Sequence, residues 1–526
     1  MRRPAIHNTL FQFVQAFIRC SRNAIAVSLL SALLGISSMS VAQDYTLNGN
    51  VTNNGIIRVR RNIINNTAGL VTVSGTGVVK LQGNTAGSHA IRCTNIANTY
   101  PVSIIRLDII GIRVTTLNTP ILIPTQLQIG DGTTTYTAAS PGFTIGAQTL
   151  TIGAISTYMA TSTAVLTFSG GTVIFNGAAA QLILNNAAGV TYGTLSLSGA
   201  GAKSVTTGGT VTAATVTQTI GSGQLLVTEN VDVTGTGSFD NIGAISAAKK
   251  LRLTAAATSG TVTSMNNSST GTFENASNGT VTITTLAGNT GTINQSGATG
   301  TITFTNAAVN TGTGTITNTS TGTVTFANNL TGTGTVSQTA NGIINVGGSF
   351  TQSTYTLATA GTVVYNGTAA QSVIGTNYYN LTIATTGGNA TASAAITLTT
   401  GNLVINSGST LDMAGFTTSL FNGGLNNNLG TIKWSGNNVY VKGTGTTEFY
   451  SAAVGNVAIG TNYGNLLFSG TGMKTFATAG TTTATGTMTV NSGAQVTVNN
   501  GVTVQVNGST LLSGNVTNNG VVNVGP

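Results

Sequence analysis

The residues of this chain that could do chemistry are few and widely spaced. Its 526 residues contain 9 acidic side chains and 2 histidines, and only 5% of the chain is charged. Cleavage of a sugar chain needs two carboxylates at a set separation, or acids gathered around a metal. The best acidic pair is Asp108 and Asp131, which stand about one strand repeat apart. Three arginines accompany this pair along the chain: Arg92, Arg106 and Arg113.

We interpret these five residues as a solvated charged patch, and a polysaccharide-acting enzyme is the alternative. Calcium and zinc sites need clustered oxygen, sulfur or imidazole ligands. His89 and Cys93 have no further ligands close in sequence, and a calcium-binding Gly/Asp-rich nonapeptide is absent. The sequence therefore predicts no catalytic residue, no metal site and no cofactor.

Charged residues in the middle of the chain recur at a nearly constant interval. Lys250 follows Glu229 and Arg252 follows Asp232 at this interval, and Glu274 follows Arg252 in the same way. If the interval is one structural repeat, opposite charges stack on neighbouring repeats, where exposed pairs contribute roughly 0–1 kcal/mol each. We predict that this charge ladder supports the register and does no chemistry.

Threonines alternate with Val or Ile at the same interval. The Thr-x-Thr pairs are Thr261/Thr263, Thr280/Thr282, Thr301/Thr303 and Thr323/Thr325. Stacked, they would form outward rows of hydroxyl and methyl groups, an arrangement that resembles ice-binding β-helices. The high strand propensity of threonine explains the pattern equally well.

The elements that carry these residues are short strands that begin at regularly spaced glycines. Gly-Thr or Gly-Ile strand starts stand at Gly260, Gly279, Gly300, Gly322 and Gly342, and a second set interleaves from Gly271. Within each strand apolar residues alternate with polar ones, which is typical of a half-buried strand. Glycine and asparagine between strands are expected to supply corners with positive φ. This fixed interval predicts an all-β, single-domain, right-handed parallel β-helix with about 20–22 residues per coil.

The composition divides the chain into three segments. Residues 1–42 have a basic start, an apolar run at 24–36 and small residues before a cleavage point, as in a signal peptide. Residues 43–165, rich in arginine and proline, are predicted to be an N-terminal capping region with irregular coils, and residues 166–526 a repetitive β-helix. We expect a secreted or outer-surface protein with no transmembrane helix after signal cleavage.

A longer duplication carries a resemblance to a known class of proteins. Gly361 opens GTVVYNGTAAQSVIGTNYYNLTI, Gly171 opens GTVIFNGAAAQLILNN, and a decayed copy starts at Gly445. With GNLVINSG from Gly401, these phrases resemble large repetitive surface proteins of outer-membrane bacteria, similar to autotransporter passengers and filamentous-haemagglutinin-type adhesins. The resemblance implies an exported structural or adhesive role. An Asn-Pro-Asn-Gly secretion motif and a C-terminal β-barrel are not recognisable.

Low charge and many hydroxyls suit weak, multivalent contacts. We therefore expect a stiff Thr/Asn/Ser-rich rod that contacts glycans, host surfaces or neighbouring cells. Removal of residues 1–42 leaves a net charge of +5, since 14 basic and 9 acidic residues remain, and nucleic acid is not expected as a partner.

GNVTNNG occurs at 49–55 and again at 514–520. This repeat predicts an open last coil near 521–524, which belongs to a longer protein or self-associates.

Overall fold

The computed structural model describes most of the chain after residue 37. It covers 38–525 except 82–87, 94–101, 105, 110–113, 125, 130–141, 154, 159–165, 186–188, 206–208, 220–222, 399–400, 415, 417–419, 422–426, 435–443, 451, 453 and 458–461. Residues 1–37 of the predicted signal segment lie outside the described residues, and cleavage after residue 42 stays a prediction.

The described residues form β-strands and contain no helix. The chain divides into two compact units, residues 1–233 and 234–526. Strands that begin in the first unit are Ser38–Leu47 (β1), Val51–Thr52 (β2), Ile56–Asn65 (β3), Val71–Ser74 (β4), Val78–Leu81 (β5), Ser88–Cys93 (β6), Val102–Ile104 (β7), Arg106–Ile109 (β8), Val114–Leu117 (β9), Ile121–Ile123 (β10), Gln126–Ile129 (β11), Gly142–Thr144 (β12), Thr149–Ile152 (β13), Ile155–Tyr158 (β14), Leu166–Phe175 (β15), Gln181–Ile183 (β16), Val190–Leu197 (β17), Lys203–Val205 (β18), Val211–Gln218 (β19), Leu225–Val227 (β20) and Val231–Ile245 (β21).

Strands that begin in the second unit are Lys250–Leu253 (β22), Ser259–Asn267 (β23), Thr272–Asn275 (β24), Thr280–Asn289 (β25), Thr292–Gln295 (β26), Thr301–Phe304 (β27), Ala308–Val309 (β28), Thr315–Asn318 (β29), Thr323–Phe326 (β30), Leu330–Thr331 (β31), Thr335–Gln338 (β32), Ile343–Val346 (β33), Phe350–Thr351 (β34), Thr354–Tyr365 (β35), Gln371–Val373 (β36), Asn377–Ile383 (β37), Asn389–Ala392 (β38), Thr397–Leu398 (β39), Leu403–Ile405 (β40), Thr410–Asp412 (β41), Leu420–Phe421 (β42), Asn427–Asn428 (β43), Thr431–Trp434 (β44), Thr446–Phe449 (β45), Gly455–Asn456 (β46), Asn462–Tyr463 (β47), Asn465–Phe468 (β48), Met473–Phe476 (β49), Gly480–Ala484 (β50), Met488–Val490 (β51), Gln495–Val498 (β52), Val502–Val506 (β53), Thr510–Leu512 (β54), Asn515–Asn518 (β55) and Val521–Val524 (β56).

Strands of the second unit pair in parallel with the strand one turn further along the chain. One column passes through the strands that contain Val262, Ile283, Phe304, Phe326, Val346, Tyr365, Ile383 and Ile405, each residue the register partner of the next. The spacing of these positions along the chain is nearly constant, and one turn takes about 21 residues. The parallel β-solenoid predicted from the glycine interval is therefore confirmed.

Turns of the first unit vary more in length. Val71, Val102, Ile121, Leu150, Val173, Leu195 and Val216 form one column of buried register partners. The first four of these positions are unevenly spaced along the chain, whereas those from Leu150 to Val216 are spaced almost evenly. The column of register partners is nevertheless continuous. The boundary predicted at residues 165 and 166 is one of composition and stays a prediction.

The interior consists of apolar side chains that repeat turn by turn. Ring stacking continues along the column, since the centroids of Phe304 and Phe326 lie 4.9 Å apart with the rings 4° from parallel. Phe326 then meets Phe350 edge to face at 5.1 Å. Offset-stacked and edge-to-face pairs are favourable beyond the area they bury. Alternation of inward apolar and outward polar residues thus fixes which face of each strand lies inside.

The glycines at the strand starts are required because a side chain would clash with the neighbouring turn. Gly300 and Gly322 are not among the glycines with positive φ, so a different property selects glycine here. A Cβ atom at Gly322 would lie 2.4 Å from the carbonyl oxygen of Gly300, and one at Gly300 would lie 2.1 Å from that of Ser277. Neighbouring turns approach so closely at this corner that only hydrogen fits between them. Positive φ does occur elsewhere, for example 120° at Gly332.

The last described turn is open on one side. β56 pairs with β53, and within the described residues no strand pairs with its other edge. The side chains of Val521 and Val524 are 49% and 54% exposed. The open edge predicted from the sequence is present, while its contact with a second copy stays a prediction.

Candidate functional site

Threonine hydroxyls line the outer face of one strand column in the second unit. Two rows of register partners run along it: Ser238, Thr261, Thr282, Thr303, Thr325 and Asn345 in the first, and Ser259, Thr280, Thr301, Thr323 and Ile343 in the second. Neighbours within a row are about 4.8 Å apart, and the rows lie two residues apart along the strand, roughly 6.6 Å. The result is a regular grid of small polar groups.

The register differs from the predicted one at the first pair. The sequence suggested that Thr261 and Thr263 stack beside Thr280 and Thr282, but Thr261 is the partner of Thr282. Ser259 fills the position beside Thr280, and Thr263 lies outside both rows. Side chains alternate between the two faces of a strand, so a register shift of two residues leaves each side chain on the same face. Sequence alternation alone could not distinguish these two alignments.

The rows are partly shielded and weakly bonded to one another. Thr261 and Thr280 are exposed, whereas the later threonines of both rows are half-buried. Side-chain bonds within a row occur at its ends, where the Thr261 hydroxyl donates to Ser238 Oγ at 3.3 Å and Asn345 Nδ2 donates to Thr325 Oγ1 at 3.3 Å. Methyl and hydroxyl groups of this face therefore remain available to a ligand.

A second threonine row is present that sequence analysis did not single out as a candidate. Register partners on the next strand column are Thr272, Thr292, Thr315, Thr335 and Thr354. The interleaved Gly-Thr set that begins at Gly271 carries the signal for this row. This column also holds the charge ladder, so its outer face is less uniform than that of the first column.

The charge ladder is formed in part. Arg252 and Glu274 are register partners, and Lys250 Nζ lies 3.1 Å from Glu274 Oε2. Burial raises the pKa of Glu274, but hydrogen bonds from Ser296 and Lys250 and the charges of Lys250 and Arg252 outweigh it and lower the pKa overall. Glu229 is buried, and it belongs with Asp232 to the first unit. Their predicted stacking on Lys250 and Arg252 stays a prediction.

The predicted cap patch is only partly described. Asp108 is 1% exposed, and its carboxylate lies 3.7 Å from Lys80 Nζ, its register partner, so it is not a solvated acid. Arg92 is exposed, and Arg106 lies in β8 with its side chain outside the description. Arg113 and Asp131 lie outside the described residues. The pairing of Asp108 with Asp131 that an enzyme would need stays a prediction.

Buried amide side chains form ladders inside the second unit, and sequence analysis missed them. Asn267 Nδ2 donates to Asn289 Oδ1 at 3.1 Å, and Asn289 Nδ2 donates to Asn310 Oδ1 at 2.9 Å. A second ladder includes Asn275, whose Nδ2 donates to Gln295 Oε1 at 2.8 Å. These amides also bond turn carbonyls, such as that of Gly291, because buried backbone groups need partners.

The duplicated NG-x-AAQ phrase has a structural role in its glutamine. Gln181 Oε1 accepts from the Gly177 amide at 2.7 Å, and Gln371 Oε1 accepts from the Gly367 amide at 2.6 Å. Both side chains are buried, and each closes a turn from the inside. Lys203, the register partner of Gln181, is likewise buried, and its Nζ donates to the carbonyls of Gly177 and Gly201. Burial lowers the pKa of Lys203.

Within the described part of the chain, no three His, Cys, Asp or Glu side chains gather closely enough to hold a metal ion. The described residues also include no helix long and apolar enough to cross a membrane. Comparisons with protein-family models, curated proteins and solved structures find no match.

Proposed function

We propose that this protein is an exported, non-catalytic surface protein of an outer-membrane bacterium that makes adhesive or structural contacts through its outer threonine face. The observation that supports this most is the grid of Thr282, Thr303 and Thr325 beside Thr301 and Thr323. The resemblance of its repeats to autotransporter-passenger and filamentous-haemagglutinin-type adhesins agrees with this proposal. Glycans of a host or of neighbouring cells are the proposed ligands.

The chemistry of the face suits a weakly bound, extended ligand. Hydroxyl groups donate and accept hydrogen bonds, and threonine methyl groups add small apolar contacts. Each contact is worth little, but a ligand that crosses several turns meets the same group at each turn. Linked contacts then raise the overall affinity without any single strong site. β-branched residues lose little rotamer freedom on binding because χ1 is already restricted.

A binding experiment with matched variants tests the proposal. The purified protein is applied to immobilised neutral glycans and bacterial surface polysaccharides beside the triple variant Thr282→Val, Thr303→Val, Thr325→Val. Valine keeps the branched shape and removes the hydroxyls, so we expect affinity to fall about tenfold, which is about 1.4 kcal/mol spread over three contacts. The control variant carries Thr292→Val, Thr315→Val and Thr335→Val. Equal binding by all three proteins, or no binding by any, would contradict the proposal.

Ice binding is the second candidate, and the same grid favours it. Two rows of register partners with a repeat of about 4.8 Å in one direction present hydroxyl and methyl groups to water. Inhibition of ice recrystallisation by the purified protein, lost on Thr303→Lys and kept on Thr315→Lys, would favour ice over glycans. Growth of ice at the buffer rate would exclude it.

We further predict no polysaccharide turnover. Asp108 is paired with Lys80 and removed from solvent, which leaves this acid poorly placed to protonate or attack a sugar. Incubation with polyuronates and common glycans should release no reducing ends. Reproducible release that is lost on Asp108→Asn would overturn the non-catalytic part of the proposal.

A further inference from the structure

The first unit carries a strip of cations that neither the threonine face nor the core uses. It follows β3 and its neighbours β5 and β6, and it consists of Arg58, Arg60, Arg61, Lys80 and Arg92. The whole chain has 18 basic residues among 526, so this local density is unusual. We propose that this basic strip is a docking surface for an acidic polysaccharide that bears carboxylates along its length.

The strand register brings these cations together. Arg58 is the partner of Lys80 on the next turn, about 4.8 Å away. Further along β3, Ile64 is the partner of Arg92. Between these two paired stretches lie Arg60 and Arg61, where β3 leaves β5 and takes up β6. Because Arg58 and Ile64 are six residues apart, the strip extends for at most about 20 Å along the strand.

The cations are accessible, and the acids of the strip are engaged. Arg60, Arg61 and Arg92 are exposed, and Arg58 is half-buried. Asp108 is buried against Lys80. Asp44 accepts hydrogen bonds at Oδ1 from the backbone amide of Asn62 at 3.2 Å and from Asn62 Nδ2 at 2.9 Å. Lys80 is thus paired with Asp108, and the positive charge that the strip offers to a ligand comes from its arginines, chiefly Arg61 and Arg92.

A carboxylated polymer fits this arrangement better than a small anion. Guanidinium groups bind carboxylates through two parallel hydrogen bonds. Arg58, Arg61 and Arg92 follow one another at intervals of about 10 Å of strand, a spacing that a single small anion cannot bridge. A polymer with repeated carboxylates can engage each of them in turn, and linkage then raises its affinity.

Two other macromolecules fit less well. Anionic membranes usually take up apolar side chains beside the cations. The large apolar side chains exposed in the described part of the first unit are Leu70 and Leu182, and neither lies on β3, β5 or β6. Single-stranded nucleic acids stack their bases on aromatic side chains. Tyr45, the register partner of Ile63 on β3, is buried and offers no ring to a base.

The test measures binding of the full chain to polygalacturonate by isothermal titration calorimetry. We expect binding at low salt that is largely lost at about 1 M salt, where the Debye length falls to about 3 Å. The variant Arg58→Gln, Arg61→Gln, Arg92→Gln should bind at least about tenfold more weakly. A charge-matched control, Lys249→Gln, Lys250→Gln, Arg252→Gln, removes three cations of the second unit and should bind like the parent. Circular dichroism checks that each variant is folded.

Other outcomes contradict the proposal. Failure of the parent to bind polygalacturonate, or equal weakening in both variants, would show that no dedicated strip exists. Equal or tighter binding to duplex DNA or to vesicles with anionic lipid would assign the strip to a different partner. The proposed threonine face is independent, since neutral glycans test it and neither variant alters it.

Discussion

At the scale of single residues, the buried amide ladder makes the most specific demand on the sequence. Asn289 accepts from Asn267 and donates to Asn310 and to the Gly291 carbonyl. Replacing it with alanine leaves buried polar groups on both neighbouring turns without one of their partners. An unsatisfied buried group costs about 1–3 kcal/mol.

We therefore expect Asn289→Ala to lower the free energy of unfolding by about 1–3 kcal/mol. Asn294→Ala is the control, since this asparagine points outward and accepts only an exposed hydrogen bond from Thr319 at 3.0 Å. Its substitution should change stability by less than about 0.5 kcal/mol. Urea denaturation followed by circular dichroism measures both, and similar losses for both variants would contradict the ladder.

Buried tyrosines predict a loss of stability at alkaline pH. Burial raises the pKa of Tyr192 well above its ordinary value, and its hydroxyl donates to the Leu184 carbonyl at 2.5 Å. Below the unfolded pKa of about 10 its contribution to stability is complete. It is lost as pH rises from there toward the folded pKa, because only the unfolded chain ionises.

Tyr192→Phe should therefore lower stability modestly at pH 7, by about 1 kcal/mol for the lost hydrogen bond. Above pH 10 the variant should decline less steeply than the parent. Denaturation midpoints measured from pH 7 to 11 give both slopes. Parallel curves would mean that Tyr192 does not contribute to alkaline unfolding.

Residue types alone could not reveal the ladder. Asn289 and Asn294 are the same amino acid, five positions apart, yet one is buried and the other half-buried. Only the turn register, which brings Asn289 beside Asn267 and Asn310, separates them. The inward valines and phenylalanines were predictable because their alternation with threonine has a period of two.

At the scale of elements, the close approach of turns explains the glycine interval. Gly322→Ala forces a Cβ against the Gly300 carbonyl, so we expect a loss of about 1–3 kcal/mol from overpacking. At Gly288 an added Cβ would meet only Asn266 Oδ1, the end of a side chain that can turn away. Thermal melting should therefore show a clear decrease for Gly322→Ala and little change for Gly288→Ala. The opposite order would refute the steric account.

The same elements show what sequence analysis could reach. The regular strand starts from Gly260 to Gly342 predicted the parallel stack correctly. They did not predict that Thr261 lies beside Thr282, because Ser259 takes the place where a threonine was expected. The sequence could not separate two reasons for a glycine, since positive φ and close backbone approach both select it. The expected positive φ occurs between strands at Gly332, whereas close approach explains Gly322.

At the scale of the whole molecule, function rests on repetition more than on any one group. The chain has 5% charged residues, and the outer faces of its regular turns carry mainly Thr, Ser and Asn. Such faces suit many weak contacts, whereas the basic strip of the first unit suits ionic ones. Both proposals depend on one premise, that residues one turn apart in the chain are neighbours in parallel register.

Disulfide trapping tests that premise directly. With Cys20 and Cys93 replaced by alanine, Thr282→Cys with Thr303→Cys places two thiols on register partners, about 4.8 Å apart. This separation lies within the range that a disulfide spans, whereas Thr282→Cys with Thr325→Cys places the thiols two turns apart, beyond about 7 Å. Mild oxidation followed by peptide mass spectrometry should find the 282–303 disulfide and no 282–325 disulfide. Equal yields, or a disulfide in the 282–325 pair alone, would contradict the parallel solenoid.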